Sequence, residues 1–229
     1  MKRSEINRIM KEATDFITSR GFVLPPFVLW GADDWADKGD EYDELKRNML
    51  GWDITDFGSG DFGKVGLLMI TLRNGNMYNP KYIKPYAETL LISEEGQLTP
   101  YHFHRKKMED IINRGGGNLI VKLYNSTPDE KLADTDVTIS SDGHNYTVPA
   151  GTVIRLTPGE SITIAPGQYH CFYAEPGYGK VMLTEVSKVN DDRVDNRFLE
   201  EVGRFPAIDE DEKPLHLLSM DYEEFSILG

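Results

Sequence analysis

Apolar positions divide the chain into a helical start and a long β-rich remainder. Ile6, Ile9, Met10, Ala13, Phe16 and Ile17 recur at helical spacing behind Ser4, a cap candidate, and Gly21 closes the pattern. This predicts one amphipathic helix that packs through its apolar stripe. Pro25 and Pro26 force extended chain, and the segment around Trp30, Trp35 and Trp52 mixes acidic loop with a short helix near Glu41 to Leu50. From Lys64 onward the chain becomes a series of short β-rich runs punctuated by turn residues: "KVGLLMITLR", "YAETLLIS", "QLTPYHFH", "GNLIVKLYN", "DVTISSDGHNYTV", "TVIRLTP", "SITIAPGQYHCFY" and "KVMLTEVS". Seven or eight strands at this spacing, with no long helix between them, predict a sandwich or barrel of antiparallel strands. Asp142 and Gly143 read as a hairpin turn. The tail from Asn190 is acidic and irregular and ends in "MDYEEFSIL". Neither an internal repeat nor a low-complexity linker marks a boundary, so the expectation is a single domain over residues 1–229. Within it, residues 1–63 form a helix and loop extension, 64–189 the barrel core and 190–229 a C-terminal extension.

Composition narrows the picture. At 229 residues the chain suits one β barrel, and with 39% apolar and 28% charged residues it belongs with ordinary globular proteins. A net charge of −13 argues against nucleic acid or an anionic membrane as partner, since both demand a positive footprint. One cysteine, Cys171, excludes an intramolecular disulfide framework and fits a reducing, cytoplasmic compartment. The opening "MKRSEINRIMKEATDF" lacks the apolar core of a signal peptide. Nothing approaches the roughly 20 apolar residues of a membrane span. Gly58, Gly60 and Gly63 satisfy G-x-G-x-x-G, but a strand-like run follows where a dinucleotide site needs a helix, so the segment reads as a hairpin or entry loop.

The chemistry concentrates in "TPYHFHRKKMED". On a strand, His102 and His104 share one face while Tyr101 and Phe103 take the other, so both imidazoles can approach one ion. Glu109 follows after enough chain to turn and return a carboxylate to the same point. His170 enters a later strand directly after the turn at Pro166 and Gly167, and its neighbour Cys171 points to the opposite face. Three imidazoles and one carboxylate suit Mn, Fe, Co, Ni or Zn. Burying such a carboxylate among neutral imidazoles is costly unless a cation compensates it. His144 at the hairpin tip and His216 in the tail are read as histidines without an ion.

These residues carry a resemblance. "HFHRKKMEDIINRGGG" resembles the first cupin motif and "PGESITIAPGQYH" the second, although Gly96 stands only loosely for the first motif's glycine and Ala174 replaces a frequent asparagine. The strings "KMEDIINRGGGNLIVKLYN", "LTPGESITIAPGQYHCFY", "EVSKVNDDRVDNRF" and "KRSEINRIMKEATDF" are similar to the bacterial D-lyxose ketol-isomerases of the cupin superfamily. The resemblance implies a mainly β, single cupin (jelly-roll) barrel with an N-terminal helix. It further implies a Mn²⁺-dependent, homodimeric cytoplasmic enzyme that interconverts D-lyxose and D-xylulose, often with D-mannose and D-fructose as a second pair. Position by position, its metal ligands are His102, His104, Glu109 and His170.

Such a reaction needs a base outside the ligand set, and Glu185 in the apolar run "VMLTEVS" is the first candidate, the alternative being an outward, solvated glutamate. Lys107 could stabilise a negative oxygen or relay a proton, or be one more solvated member of a basic run with Arg105 and Lys106. Asp192, Asp195 and Arg197 in "NDDRVDNRF" are candidates for sugar hydroxyls, against a plain acidic loop. Proton transfer through an enediol and a hydride shift both stay open. An Fe-dependent cupin dioxygenase would want an apolar, aromatic pocket, and a non-catalytic sugar-binding cupin would bind without turnover.

Overall fold

The computed structural model describes residues 1–189, 191–203 and 206–222. Asn190, Arg204, Phe205 and residues 223–229 lie outside the described residues, so the expected C-terminal extension is described only in part. The predicted first helix is α1 (Arg3–Ser19), with Ile6, Met10 and Ile17 fully buried. Burying each such side chain contributes about 1.5–3 kcal/mol. Its cap differs from expectation: Lys2 holds that place, and Ser4 donates both its backbone N–H and its hydroxyl to Asp211, at 2.9 and 2.7 Å. After a 3-10 turn at Pro26–Leu29 come α2 (Ala32–Ala36), a second 3-10 turn at Asp40–Tyr42 and α3 (Asp43–Arg47).

The strands are β1 (Gly51–Thr55), β2 (Leu67–Arg73), β3 (Tyr86–Ser93), β4 (Thr99–His104), β5 (Glu109–Gly116), β6 (Leu119–Asn125), β7 (Val137–Ser141), β8 (His144–Val148), β9 (Val153–Leu156), β10 (Ser161–Ile164), β11 (Gln168–Ala174) and β12 (Val181–Lys188). A one-turn helix α4 (Asp192–Asp195) and the strand β13 (Asn196–Phe198) follow. An eight-stranded sheet in the order β1-β2-β3-β12-β5-β10-β7-β8 faces a five-stranded sheet in the order β13-β4-β11-β6-β9. This is the expected mainly β cupin barrel with its N-terminal helix. β1, β5 and β13 were not among the predicted runs, and β1 and β13 lie outside residues 64–189 yet extend the two sheets.

Strand alternation gives the large sheet two buried faces. Leu68, Ile70, Leu90, Ile92 and Met182 pack with Ile6, Met10 and Ile17 of α1. Their neighbours Leu67, Leu91, Val181 and Leu183 turn into the barrel against Leu119, Val121, Leu123 and Phe172 of the small sheet. Whatever shares the face of Val181 and Leu183 therefore points inside, and the next such position is Glu185. The glycine loop at residues 56–66 connects β1 to β2 and leads into a strand, as the sequence indicated.

Candidate metal centre and active site

Local irregularities bring the histidines together. β11 pairs with β4 in a register that matches His170 to His102 and then slips, so that Phe172 faces Thr99. Pro100 lies in this slip and has no N–H to give a ladder. The bulge lets both Thr99 and His102 face the interior, while Tyr101 and Phe103 turn outward to edge contacts with Tyr124 and Tyr169, at 5.6 and 4.8 Å between centroids. Beyond β4 the chain turns around Asp195. Its carboxylate accepts the N–H groups of Lys106 and Lys107, at 2.9 and 3.0 Å, and its carbonyl accepts that of Arg105, at 3.0 Å. That clamp returns the chain so that β5 begins at Glu109.

One ring nitrogen from each of His102, His104 and His170 lies within 4.8 Å of the others, and all three residues are buried. The outer nitrogens are fixed by acceptors: His102 Nδ1 by Pro100 O at 2.8 Å, His104 Nδ1 by Asn196 Oδ1 at 2.7 Å and His170 Nδ1 by Gln168 O at 3.2 Å. Each acceptor requires the proton on Nδ1, which leaves the Nε2 lone pair aimed inward, as a metal ligand must be. Burial, with the neighbouring rings, pushes the His102 imidazole well below its ordinary range, and burial likewise lowers that of His170. Both are therefore neutral and ready to ligate. Glu109 sends Oε2 to 3.2 Å from His104 Nε2 and Oε1 to 3.3 Å from His170 Nε2. Burial would raise its carboxyl, but the Lys107 ammonium beside it opposes that, and the carboxyl is held well below the usual carboxylate range.

His104 Nε2 and Glu109 Oε2 are buried and have no partner with hydrogen-bond geometry. A buried imidazole lone pair is costly to leave so, while Glu109 Oε2 has only the Lys107 ammonium, 2.7 Å away. A divalent cation among the four would satisfy both, and the donor set of three imidazoles and one carboxylate fits such an ion. The four residues expected as ligands thus converge.

Lys107 and Glu185 reach the same place. Lys107 is buried, and its Nζ lies 2.7 Å from Glu109 Oε2 and 2.8 Å from Glu185 Oε1. Burial would lower its pKa, but Glu109, Glu185 and Asp192 overcome it and keep the ammonium charged. Burial raises the Glu185 carboxyl above its ordinary range, with Lys107 opposing. Asp192 faces the same cavity. Asp195 is spent on the turn after β4, as described. Arg197 alternates to the other side of β13 from Asn196 and Phe198 and donates to Glu130 Oε2 at 2.7 Å; Glu130 also takes Arg105 Nη1 at 2.5 Å. Asn196 is the residue that the sequence reading missed. Its part depends on β13 pairing with β4, Asn196 opposite His104, which no local pattern announces.

Two adjoining spaces serve these groups. An inner cavity holds the histidines, Lys107 and Glu109 over an apolar floor that includes Phe57, Leu67, Leu91 and Phe172. An outer cleft opens over β1, β2 and β3. Met69, Glu185 and Asp192 line both. Among the described residues, no helix is long and apolar enough to cross a membrane.

Comparison with known proteins gives the family and the fold. Residues 1–222 fit the family described as D-lyxose isomerase. The chain is 45% identical over 226 residues to the D-lyxose/D-mannose isomerase of Escherichia coli O157:H7, covering 98% of this chain and 100% of that protein. It is 46% identical over 226 residues to the D-lyxose/D-mannose isomerase of Serratia proteamaculans, covering 98% and 99%. In fold it resembles the L-ribose isomerase of Cellulomonas parahominis solved with L-psicose, with a TM-score of 0.61 and 15% identity over 91% of this chain and 98% of that one.

Proposed function

The chain belongs to the D-lyxose isomerase family and is an aldose–ketose isomerase, and from that premise we propose that it interconverts D-lyxose and D-xylulose, with D-mannose and D-fructose as a second pair. The observation that carries this reading is the buried Lys107 ammonium shared between Glu109 and Glu185. It places a carboxylate that is free of the ligand set beside the candidate metal centre.

His102, His104, Glu109 and His170 would hold a divalent ion, Mn²⁺ in our reading with Co²⁺, Fe²⁺, Ni²⁺ or Zn²⁺ as substitutes, which would supply Lewis-acid polarisation of the sugar's oxygens. Glu185 takes the proton from C2 and the electron pair forms the C1–C2 double bond, leaving negative charge on O1; the O2 proton passes to O1, the C2 carbonyl forms, and Glu185 returns its proton to C1. Burial, which raises the Glu185 carboxyl, makes it a stronger base than a solvated carboxylate. Lys107 stabilises the negative oxygen that develops. Asp192 is the sugar-facing member of the three polar candidates, whereas Asp195 and Arg197 act through the turn after β4 and through Glu130. The Lys107–Glu185 pair supports proton transfer over oxygen chemistry. The single cysteine and the family resemblance support a cytoplasmic homodimer.

The test is ketose formation by chelator-stripped protein before and after Mn²⁺, from D-lyxose, D-mannose, D-ribose and D-xylose. Activity restored by Mn²⁺ and highest on D-lyxose is expected. Metal demonstrably bound with no ketose from any sugar would overturn the reading and move attention to oxygen uptake with Fe²⁺.

A further inference from the structure

The reacting carbons of a sugar must lie between the imidazoles and Glu185, and only one direction from there suits the rest of the molecule. The inner floor is mainly the apolar Phe57, Leu67, Leu91 and Phe172, with the single hydroxyl of Thr99 among them. Towards the outer cleft the lining turns polar. Thr89 on β3 stands opposite Glu185 on β12, and Thr71 on β2 stands opposite Thr89, so the three make one row across adjacent strands on the cleft face. A register slip between β2 and β3 directly after Thr71 lies beside this row, the kind of irregularity that re-aims side chains next to a site. Ser187, two residues beyond Glu185 on the same strand face, lines the cleft, and its buried hydroxyl oxygen has no hydrogen-bond partner. An unpartnered buried hydroxyl is explained if a ligand hydroxyl completes it.

We infer that the row Thr89–Thr71 is the subsite for the tail of the open-chain sugar, and that Thr71 distinguishes hexose from pentose. This rests on the isomerase reading and extends it to substrate length. Neighbouring strands lie about 4.8 Å apart, which puts Thr89 about 5 Å and Thr71 about 10 Å from Glu185 along the row. Counting its terminal hydroxyl and one hydrogen bond, an extended pentose chain reaches about 8 Å beyond C2, and a hexose about 1.3 Å further. Thr89 serves both sugars. The longer one ends about 1 Å closer to Thr71 than the shorter does.

The experiment compares kcat/KM on D-mannose and D-lyxose for Mn²⁺-loaded wild type, Thr71→Val and Thr89→Val. Thr71→Val is expected to lower the mannose-to-lyxose ratio about fivefold, the size of one neutral hydrogen bond. Thr89→Val should lower kcat/KM on both sugars by similar factors, and Thr89→Ser should restore most of the loss. Valine suits a strand at least as well as threonine, and Thr71→Ala gives the same comparison should the valine disturb folding. A wild type active on both sugars whose ratio survives Thr71→Val and Thr71→Ala overturns the subsite alone. A wild type inactive on both sugars overturns the isomerase reading and the subsite with it.

Discussion

Replacing Lys107 by methionine keeps the length of the side chain and removes its charge. Without metal, the change strands two buried carboxylates, Glu109 and Glu185, each less than 3 Å from the ammonium that served both, at 2.7 and 2.8 Å. Breaking a buried pair of this kind costs about 3–5 kcal/mol. In a chain of this size each kcal/mol moves Tm by about 2–4 °C, so the metal-free variant should melt about 10 °C below wild type. With Mn²⁺ bound, Glu109 has its cation, and Glu185 can take up a proton because burial already raises its carboxyl. The remaining cost is about 1–2 kcal/mol, or about 4 °C. Calorimetric melting of both proteins in chelator and in excess Mn²⁺ should therefore show the variant gaining about 6 °C more from the metal than wild type does. Equal losses in the two conditions, or a metal-free loss under about 2 °C, would refute the bridging role of Lys107.

Three further outcomes are expected. Glu185→Gln should lower kcat about 10³-fold with metal content by mass spectrometry unchanged, and an unaltered kcat would assign the base elsewhere. Asn196→Leu removes the acceptor 2.7 Å from His104 Nδ1 and should weaken Mn²⁺ binding about 10- to 100-fold by titration; an unchanged Kd would show that the ring is held without it. The Arg3 hydrogen bond holds the Glu210 carboxyl below its ordinary value of 4.5, so its stabilisation is present above that pH and is lost as pH falls through the lower folded value. The Tm difference between wild type and Glu210→Gln should accordingly be largest near neutrality and shrink below about pH 4.5; a difference independent of pH would contradict the linkage.

The convergence of the candidate ligands was legible because strand alternation and a Pro-Gly turn are local. Period two puts His102 and His104 on one face, and the turn at Pro166 and Gly167 leads the chain into β11 with His170. β5 escaped notice because "EDIINRGG" opens on two acids and closes on glycines, and its strand character comes from pairing with β12 on one side and β10 on the other. β1 likewise owes its existence to β2 and to Trp52 and Ile54 packing beneath α1. Asp195 illustrates the limit most clearly. As a residue type it suits a sugar hydroxyl, yet its burial and its three backbone bonds 88 to 90 residues back along the chain make it the clamp of the β4–β5 turn. Side chains whose work depends on distant pairing, Asn196 among them, leave no periodic trace.

The start of α1 is tied to residues that come much later. Met1 donates to Ala207 O at 2.8 Å, Arg3 N–H to Asp209 O at 2.8 Å, and the buried Arg3 guanidinium to Glu210 and Asp221, the former 207 residues away. During synthesis at about 5–20 residues per second, the first helical turn waits about 10–40 s for these partners. Through that interval the stripe of Ile6, Met10 and Ile17 depends for cover on β2, β3 and β12, which emerge in turn. The turn that opens α1 is thus completed only by residues 207–221, and a chain synthesised up to them leaves that turn without these partners.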